Sequence, residues 1–550
     1  MKQALIFFGI LALYLGAYAV PGDVVRSFPA PYSCSAGMAT DGQYLYLADS
    51  KSDLIYQIDP QIGKVISEIP SPTYKPRGLA YDSGCLWVVD GENEQLQKLD
   101  LKTQIVTKTI WCPAESPVGL AWDGVYLWLA DQNARKLLQV STEDGTTIKE
   151  LPSPSGNSTG LAYDGSYLWV ADRSADRIYM VWPETGEVVL MFDTPGKYAW
   201  GLAVVDNLLY CADYQADSVY AIITKDDEFD KASDPVYESC EYTNQFRNYG
   251  PGTIYDLNLY LAIPENSIRQ EILEEPVFNS SVNHEIIADQ WGQKVAKFNF
   301  PELKPGEMVQ ASYKTTVKLY DHRQLFHPED VGKLKDIPED IRKQYLVDNT
   351  KFAISSEVIQ KAVKDAIGNE TNPYWMMRKI FRYIIDHINY ELAGGWNIAP
   401  TILERGNGSC SEYSFVFIAM CRAAGLPARY EGSVVQRGDL ASEDDVFHRW
   451  CQVYLPNIGW VPVDPSGGDQ ASPEGQAGSI GHVGNRYLVT TTGGGGSEYL
   501  SWQYNSFSTY QAKGICKTYE ENFGEWSPLD SVQVGNYESR ESQPVECKVR

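Results

Sequence analysis

Between residues 24 and 224, apolar and polar positions alternate in short bursts, and the bursts themselves repeat. Gly37-Met38-Ala39, Gly78-Leu79-Ala80, Gly119-Leu120-Ala121, Gly160-Leu161-Ala162 and Gly201-Leu202-Ala203 lie 41 residues apart. A second pattern keeps the same step, from Leu45-Tyr46-Leu47-Ala48-Asp49 to Leu209-Tyr210-Cys211-Ala212-Asp213. In the fourth copy the pattern predicts four strands, over 160–163, 167–171, 177–182 and 187–192. Asp164-Gly165 is read as the first hairpin turn, since Asp-Gly tolerates positive φ. The second strand is apolar on both faces, as in a sheet packed between neighbouring sheets.

A four-stranded unit repeated every 41 residues has the period and content of a propeller blade. The repeats are similar to NHL and YVTN-type propellers. The fifth copy lacks a fourth strand and turns acidic at Lys225-Asp226-Asp227-Glu228. Val24 to Pro29 lies 41 residues ahead of Val65 to Pro70, a fourth strand. The N-terminal segment is therefore expected to fill the empty slot and close the ring, leaving no open edge. The expectation is five blades over residues 20–224. Asp49, Asp90, Asp131, Asp172 and Asp213 fall at equivalent points. They are read either as a ring that binds cations or, preferably, as carboxylates that each cap their own turn.

Residues 225–235 read as an acidic linker without periodicity. From 236 to 330 the alternation predicts a β-sandwich, with strands at 254–263, 295–300 and 311–320 and turns at Asn248 to Gly252 and Lys304 to Gly306. Past Ile354 the period becomes helical. Asn372-Pro373 opens a helix, and Met377, Ile380, Phe381, Ile384, Ile385 and Ile388 form its core stripe. A second helix, 410–424, is apolar nearly all round and is expected at the centre of its domain. Strands are expected at 428–436, 447–455 and 460–463.

Composition narrows the function classes. Lys and Arg number 46 against 72 Asp and Glu, a net charge of −26, which excludes the basic footprint of a nucleic-acid binder. Of that acidity, residues 20–224 hold 26 acidic against 14 basic groups, so it reads as solubility and not as the field of a catalytic site. The chain begins with Lys2, an apolar run from Ala4 to Leu15 and Ala17-Tyr18-Ala19, the pattern of a signal peptide over 1–19. The mature chain is expected to be exported, periplasmic or extracellular, with no stable membrane insertion.

Cys410 is the one cysteine of ten placed at the start of a predicted helix, after Arg405-Gly406-Asn407-Gly408-Ser409. Helix N-termini offer partial positive charge and free N–H donors. Both favour a thiolate, and the same donors can hold an oxyanion. His448 opens one strand and Asp464 closes the next, so a hairpin brings them near each other. A carboxylate there can orient an imidazole that serves the thiol as base.

The segments Gly408-Ser409-Cys410, Gly425-Leu426-Pro427-Ala428-Arg429, His448-Arg449-Trp450-Cys451-Gln452-Val453-Tyr454 and Gly459-Trp460-Val461-Pro462-Val463-Asp464-Pro465 resemble, in order, the core of the transglutaminase-like superfamily. The family segments read G-x-C, G-I-P-A-R, H-A-W-V-E-V-Y and G-W-x-P-x-D-P. Gln452 stands where glutamate is usual. The resemblance implies an α+β, papain-like catalytic domain over 331–550. Cys410 would be nucleophile, His448 general base and acid, and Asp464 orienter, in a cysteine peptidase or acyltransferase. Hydrolysis and transamidation both remain open.

Cys421 and Cys451 are expected on diverging faces, arguing against a bridge. Cys516 and Cys547 are candidates to pair. Gly467 to Gly484 reads as a mobile loop over the site or as a plain surface loop. No metal motif of usable spacing appears, and no cofactor is expected. The expected partners are a protein or peptide substrate and a wall or surface ligand on the propeller. The alternative is a non-catalytic surface binding protein whose propeller recognises such a ligand.

Overall fold

The computed structural model describes residues 19–392 and 396–541; the segment up to residue 18, expected to be a signal peptide, and Cys547 lie outside them. Two compact units meet in sequence between Phe229 and Asp230, with Glu187–Leu190 grouped with the second.

The first unit is built from five four-stranded antiparallel sheets. The second strand is wholly buried in three copies, Leu45–Asp49, Leu127–Asp131 and Leu168–Asp172, and buried past its first residue in the other two. Val24–Pro29 pairs with Ser218–Ile223 and so completes the sheet of the fifth copy. The first strand of each sheet packs on that of the next, and the fifth returns to the first.

The Gly of each Gly-Leu-Ala repeat explains how closely these strands approach. A Cβ on Gly37 would fall 2.6 Å from the Gly78 backbone, and one on Gly78 2.7 Å from the Leu120 nitrogen. Likewise, a Cβ on Gly201 would lie 2.5 Å from the Ala36 carbonyl oxygen. Any side chain there would push neighbouring sheets apart.

The repeated aspartates are buried and consumed by turns. Asp49 accepts the backbone N–H groups of Cys34, Lys51 and Ser52 at 2.6–2.9 Å. Asp213 accepts those of Tyr198, Gln215 and Ala216 at 2.7–2.8 Å. Asp131 does the same with Glu115, Asn133 and Ala134. The capping reading accounts for them: in these three copies the carboxylate ties a turn to the start of the preceding strand, and Asp90 accepts from Glu92 and Asn93 of its own turn.

In the second unit, the segment expected as a sandwich is joined to later parts of the chain. Eight strands form one sheet around Asp230–Ala262, a strand of 33 residues. That strand starts inside the expected linker and pairs with Met308–Gln324, Lys294–Leu303 and the distant Ser506–Pro528. A long strand bonds through its backbone and needs no strict alternation where its faces change neighbours, which is why residues 230–235 escape periodicity. Segment 236–330 therefore shares a sheet with the C-terminal part of the chain.

The helix Pro373–His387 is capped by Asn372, whose side chain accepts from the Tyr374 and Trp375 N–H groups. The helix Cys410–Ala423 is buried along nearly its whole length. Beside it stands a four-stranded sheet in the order Gly459–Val463, His448–Leu455, Ala428–Val435, Tyr487–Gly493. No helix among the described residues is long and apolar enough to cross a membrane.

Candidate active site

Cys410 is the first residue of its helix and is 7% exposed. The preceding turn is fixed by a buried carboxylate. Glu412 accepts the backbone N–H of Ser409 at 3.2 Å and that of Asn397 at 3.1 Å, and pairs with Arg405 at 3.0 Å. Gly408 belongs to the same arrangement, since a Cβ there would lie 2.8 Å from the Glu412 Cβ. The Gly-Ser-Cys spacing thus reflects packing at the helix start.

His448 opens the strand His448–Leu455, which pairs with Gly459–Val463. Its Nε2 lies 2.7 Å from Asp464 Oδ2. The other oxygen of Asp464 accepts from the Ser466 hydroxyl at 2.8 Å and the Gly467 N–H at 2.9 Å. Cys410 stands close enough to the His448 ring for each to shift the other's titration. With Nε2 engaged by Asp464, Nδ1 is the nitrogen left for the sulfur. The structure thus brings together all three residues named from sequence.

The electrostatics separate Cys410 from the other thiols. Burial by itself pushes the Cys410 thiol up. The hydrogen bond and charge of His448, then the N–H and charge of Arg449, outweigh burial and carry it below the ordinary thiol value. For His448, burial opposes protonation, but the Asp464 charge and hydrogen bond, with Cys410, raise it well above its usual value. Burial also opposes ionisation of Asp464, yet the His448 charge and its hydrogen bonds hold it low. Cys85, Cys112, Cys211, Cys240, Cys421 and Cys451 are all pushed up by burial. Cys421 and Cys451 are both free.

Other residues at the site have no counterpart in the sequence reading. Asp444 is buried and accepts the N–H of Val435 at 2.7 Å and of Phe447 at 3.0 Å. It also binds Arg437 at 2.9 Å. Phe447 has φ of 61°, so this carboxylate holds a strained turn immediately before His448. Arg449 occupies the position the family segment gives to alanine and is wholly buried. Its guanidinium lies 4.3 Å from the Tyr504 ring centre and 4.5 Å from that of Tyr430, and donates to the Trp502 carbonyl. The motif registers the extra cation but not the aromatic box that receives it.

A cavity of about 350 Å³ opens beside the pair, walled by His448, Trp450, Asp464, His482 and Tyr487; Cys410 is not in its wall. His482 Nε2 lies 2.9 Å from Asp321, a second histidine–carboxylate pair on the same cavity. The stretch 467–484 lines this cavity through Gly467, Gly478, Ser479, His482, Val483 and Gly484. It contains the helix Pro473–Ala477 and pairs His482–Val483 with the strand through His322 and Arg323. Among the described residues, no three His, Cys, Asp or Glu side chains converge as a metal-holding group.

Residues 360–465 match the model of the transglutaminase-like superfamily, whose members usually are cysteine peptidases or acyltransferases. This part of the chain is a transglutaminase-like domain. An uncharacterised protein of Haemophilus influenzae is 32% identical over 23% of this chain and 42% of its own length. The chain spans less than half the length of the curated relatives it matches. Among solved structures it is similar to a candidate cysteine protease from Cytophaga hutchinsonii, at 15% identity and a TM-score of 0.39, covering 55% of this chain and 93% of that one. It is also similar to Myxococcus xanthus glutaminyl cyclase, at 13% identity and a TM-score of 0.34, over 37% and 97% of the two chains.

Proposed function

We propose that this chain is an exported thiol enzyme acting on amide bonds of proteins or peptides. The observation that carries the reading is the placement of Cys410 at its helix start beside the bonded His448–Asp464 pair, with its thiol drawn down while those of Cys112, Cys211, Cys240, Cys421 and Cys451 are pushed up by burial. Cys410 is the nucleophile, His448 the general base and acid, and Asp464 the orienter. The Cys410 thiolate attacks the amide carbonyl, and N–H groups at the helix start receive the oxyanion. The tetrahedral adduct collapses as the C–N bond breaks, and His448 protonates the departing amine. A thioester remains. Water resolves it in a peptidase or amidase, and a primary amine in a transglutaminase. Asp464 keeps the His448 ring in register and balances its charge in both halves of the reaction.

The first unit is read as a five-bladed propeller over residues 20–224. The 41-residue step and the cyclic packing of first strands support that reading. Residues 1–19 are read as its export signal.

The test is labelling of the full-length protein with iodoacetamide, located by mass spectrometry, followed by incubation with a casein-type substrate with and without a primary amine. Cys410 should label selectively, and Cys410→Ala should lose turnover while keeping its fold. Cleavage fragments would indicate hydrolysis, and amine incorporation would indicate transamidation. Full turnover in Cys410→Ala, or an unreactive Cys410, would overturn the assignment in favour of a binding protein.

A further inference from the structure

The first unit holds a second polar cavity, far in sequence from the thiol. It measures about 260 Å³ and is lined by Arg77, Arg173, Lys75, Tyr198, Trp200 and Tyr214, together with part of the first copy. These residues occupy repeat positions that flank the invariant pattern. The residue before the repeat glycine is Ala36, Val118 or Thr159 in three copies, but Arg77 and Trp200 in the other two. The residue after the repeat aspartate is Arg173 in the fourth copy. The buried framework keeps its symmetry, while this end departs from it to gather cations and aromatic rings.

Both arginines lie over aromatic rings. The Arg77 guanidinium lies 5.3 Å from the Trp200 ring centre, and that of Arg173 lies 5.4 Å from the same ring. Arg173 is also 5.2 Å from the Tyr198 ring centre and donates to the Tyr198 hydroxyl at 3.2 Å. Stacking fixes a guanidinium plane and leaves its N–H edge free to fork onto an oxyanion. Neither guanidinium has an ion pair with a described carboxylate, although the unit holds nearly twice as many acidic as basic groups. Glu92 is engaged by Lys75, and the nearby repeat aspartates are taken up by backbone N–H groups. The backbone also makes room for Arg77. Its own copy has Gly91 after the repeat aspartate, and a Cβ there would lie 2.8 Å from the Arg77 Cγ. Burial, and then the charge of Arg173, lower the Arg77 pKa. Glu92 acts in the opposite direction, and a bound anion would likewise offset the burial and the like charge.

We propose that this cavity is a binding site for an oxyanion, carboxylate or phosphate, carried on a polar molecule of about monosaccharide size and gripped by Arg77 and Arg173. The site is independent of the thiol chemistry at Cys410.

Isothermal titration calorimetry on the full-length protein tests it, with glucuronate, inorganic phosphate and glucose as probes. Glucuronate or phosphate should bind and weaken as NaCl is added, and glucose should not bind. Binding of glucuronate alone would assign a carboxylated ligand, and binding of phosphate would assign a phosphorylated one. Arg77→Gln and Arg173→Gln should each weaken binding by about tenfold or more, or roughly 1.4 kcal/mol. Arg77→Lys and Arg173→Lys retain the charge without the fork and should fall between. A melting curve of each unliganded variant keeps loss of binding separate from loss of fold, and the lysine pair serves where a glutamine variant melts early. Cys410→Ala should bind as the unmodified chain does. The proposal is overturned if neither anion binds at about 20 mM, if glucose binds equally well, or if folded arginine variants bind unchanged.

Discussion

Asp464 divides its two oxygens between His448 and the turn that follows, so the histidine partner is itself held in place. Asp464→Asn keeps an oxygen that can accept from His448 but removes the charge that stabilises the imidazolium. Turnover should fall about tenfold in Asp464→Asn and about 10²–10³-fold in Asp464→Ala, measured as kcat/KM on one peptide substrate. Equal losses would show that charge alone matters. The pH dependence follows from the opposed shifts. The Cys410 thiolate forms as pH rises through its lowered pKa, and the His448 proton is lost only as pH rises through its raised one. The charged pair exists between the two, so alkylation of Cys410 should already be fast near neutrality and should fall off on the acid side. In His448→Ala only burial and Arg449 remain, and burial is the larger influence. The alkylation inflection should then move upward past the ordinary thiol range, and the rate at pH 7 should fall. An unmoved inflection would remove His448 from the pair.

At the scale of elements, two short motifs owe their glycines to close approach. Gly408 makes room for Glu412 at the start of the Cys410 helix, and Glu412 in turn fixes the Ser409 N–H. Glu412→Ala leaves that donor and part of Arg405 unpaired. It should cost about 1–3 kcal/mol, read from chemical denaturation. In the first unit Gly78→Ala drives a methyl group to 2.7 Å from the Leu120 nitrogen. It should destabilise by about 1–3 kcal/mol. Gly124→Ala is a useful contrast, because its Cβ meets open space and only its φ of +97° is strained. The helix stripe at Met377 to Ile388, the buried Cys410 helix and the hairpin of His448 and Asp464 were all legible, because local period and turn chemistry specify them. The shared sheet of the second unit was not. Its decisive strand, Ser506–Pro528, pairs with the strand Asp230–Ala262 from more than 240 residues away, and no local pattern records such a partner.

For the molecule as a whole, the chain returns on itself twice. Val24–Pro29 completes the sheet of the fifth repeat, and Ser506–Pro528 runs along much of Asp230–Ala262. A chain ending at Asn505 should lose the second unit's cooperative melting transition while the first unit still melts, as followed by calorimetry. Retention of both transitions would show that the C-terminal strand is dispensable. The two candidate sites lie in different units, one around Cys410 and one around Arg77 and Arg173.

The sequence by itself determined the repeat, its period and its strands, because each copy states the same local pattern anew. It also singled out Cys410, His448 and Asp464 as candidates, since helix start, strand start and strand end are local features. Tertiary structure alone decided what surrounds them. Asp444, His482 and the aromatic box of Arg449 reach the site across separate strands and turns. Arg77 and Arg173 stand 96 residues apart and meet because their copies pack at the same end of the first unit. Local propensity fixes elements, but only packing brings distant charges to one place.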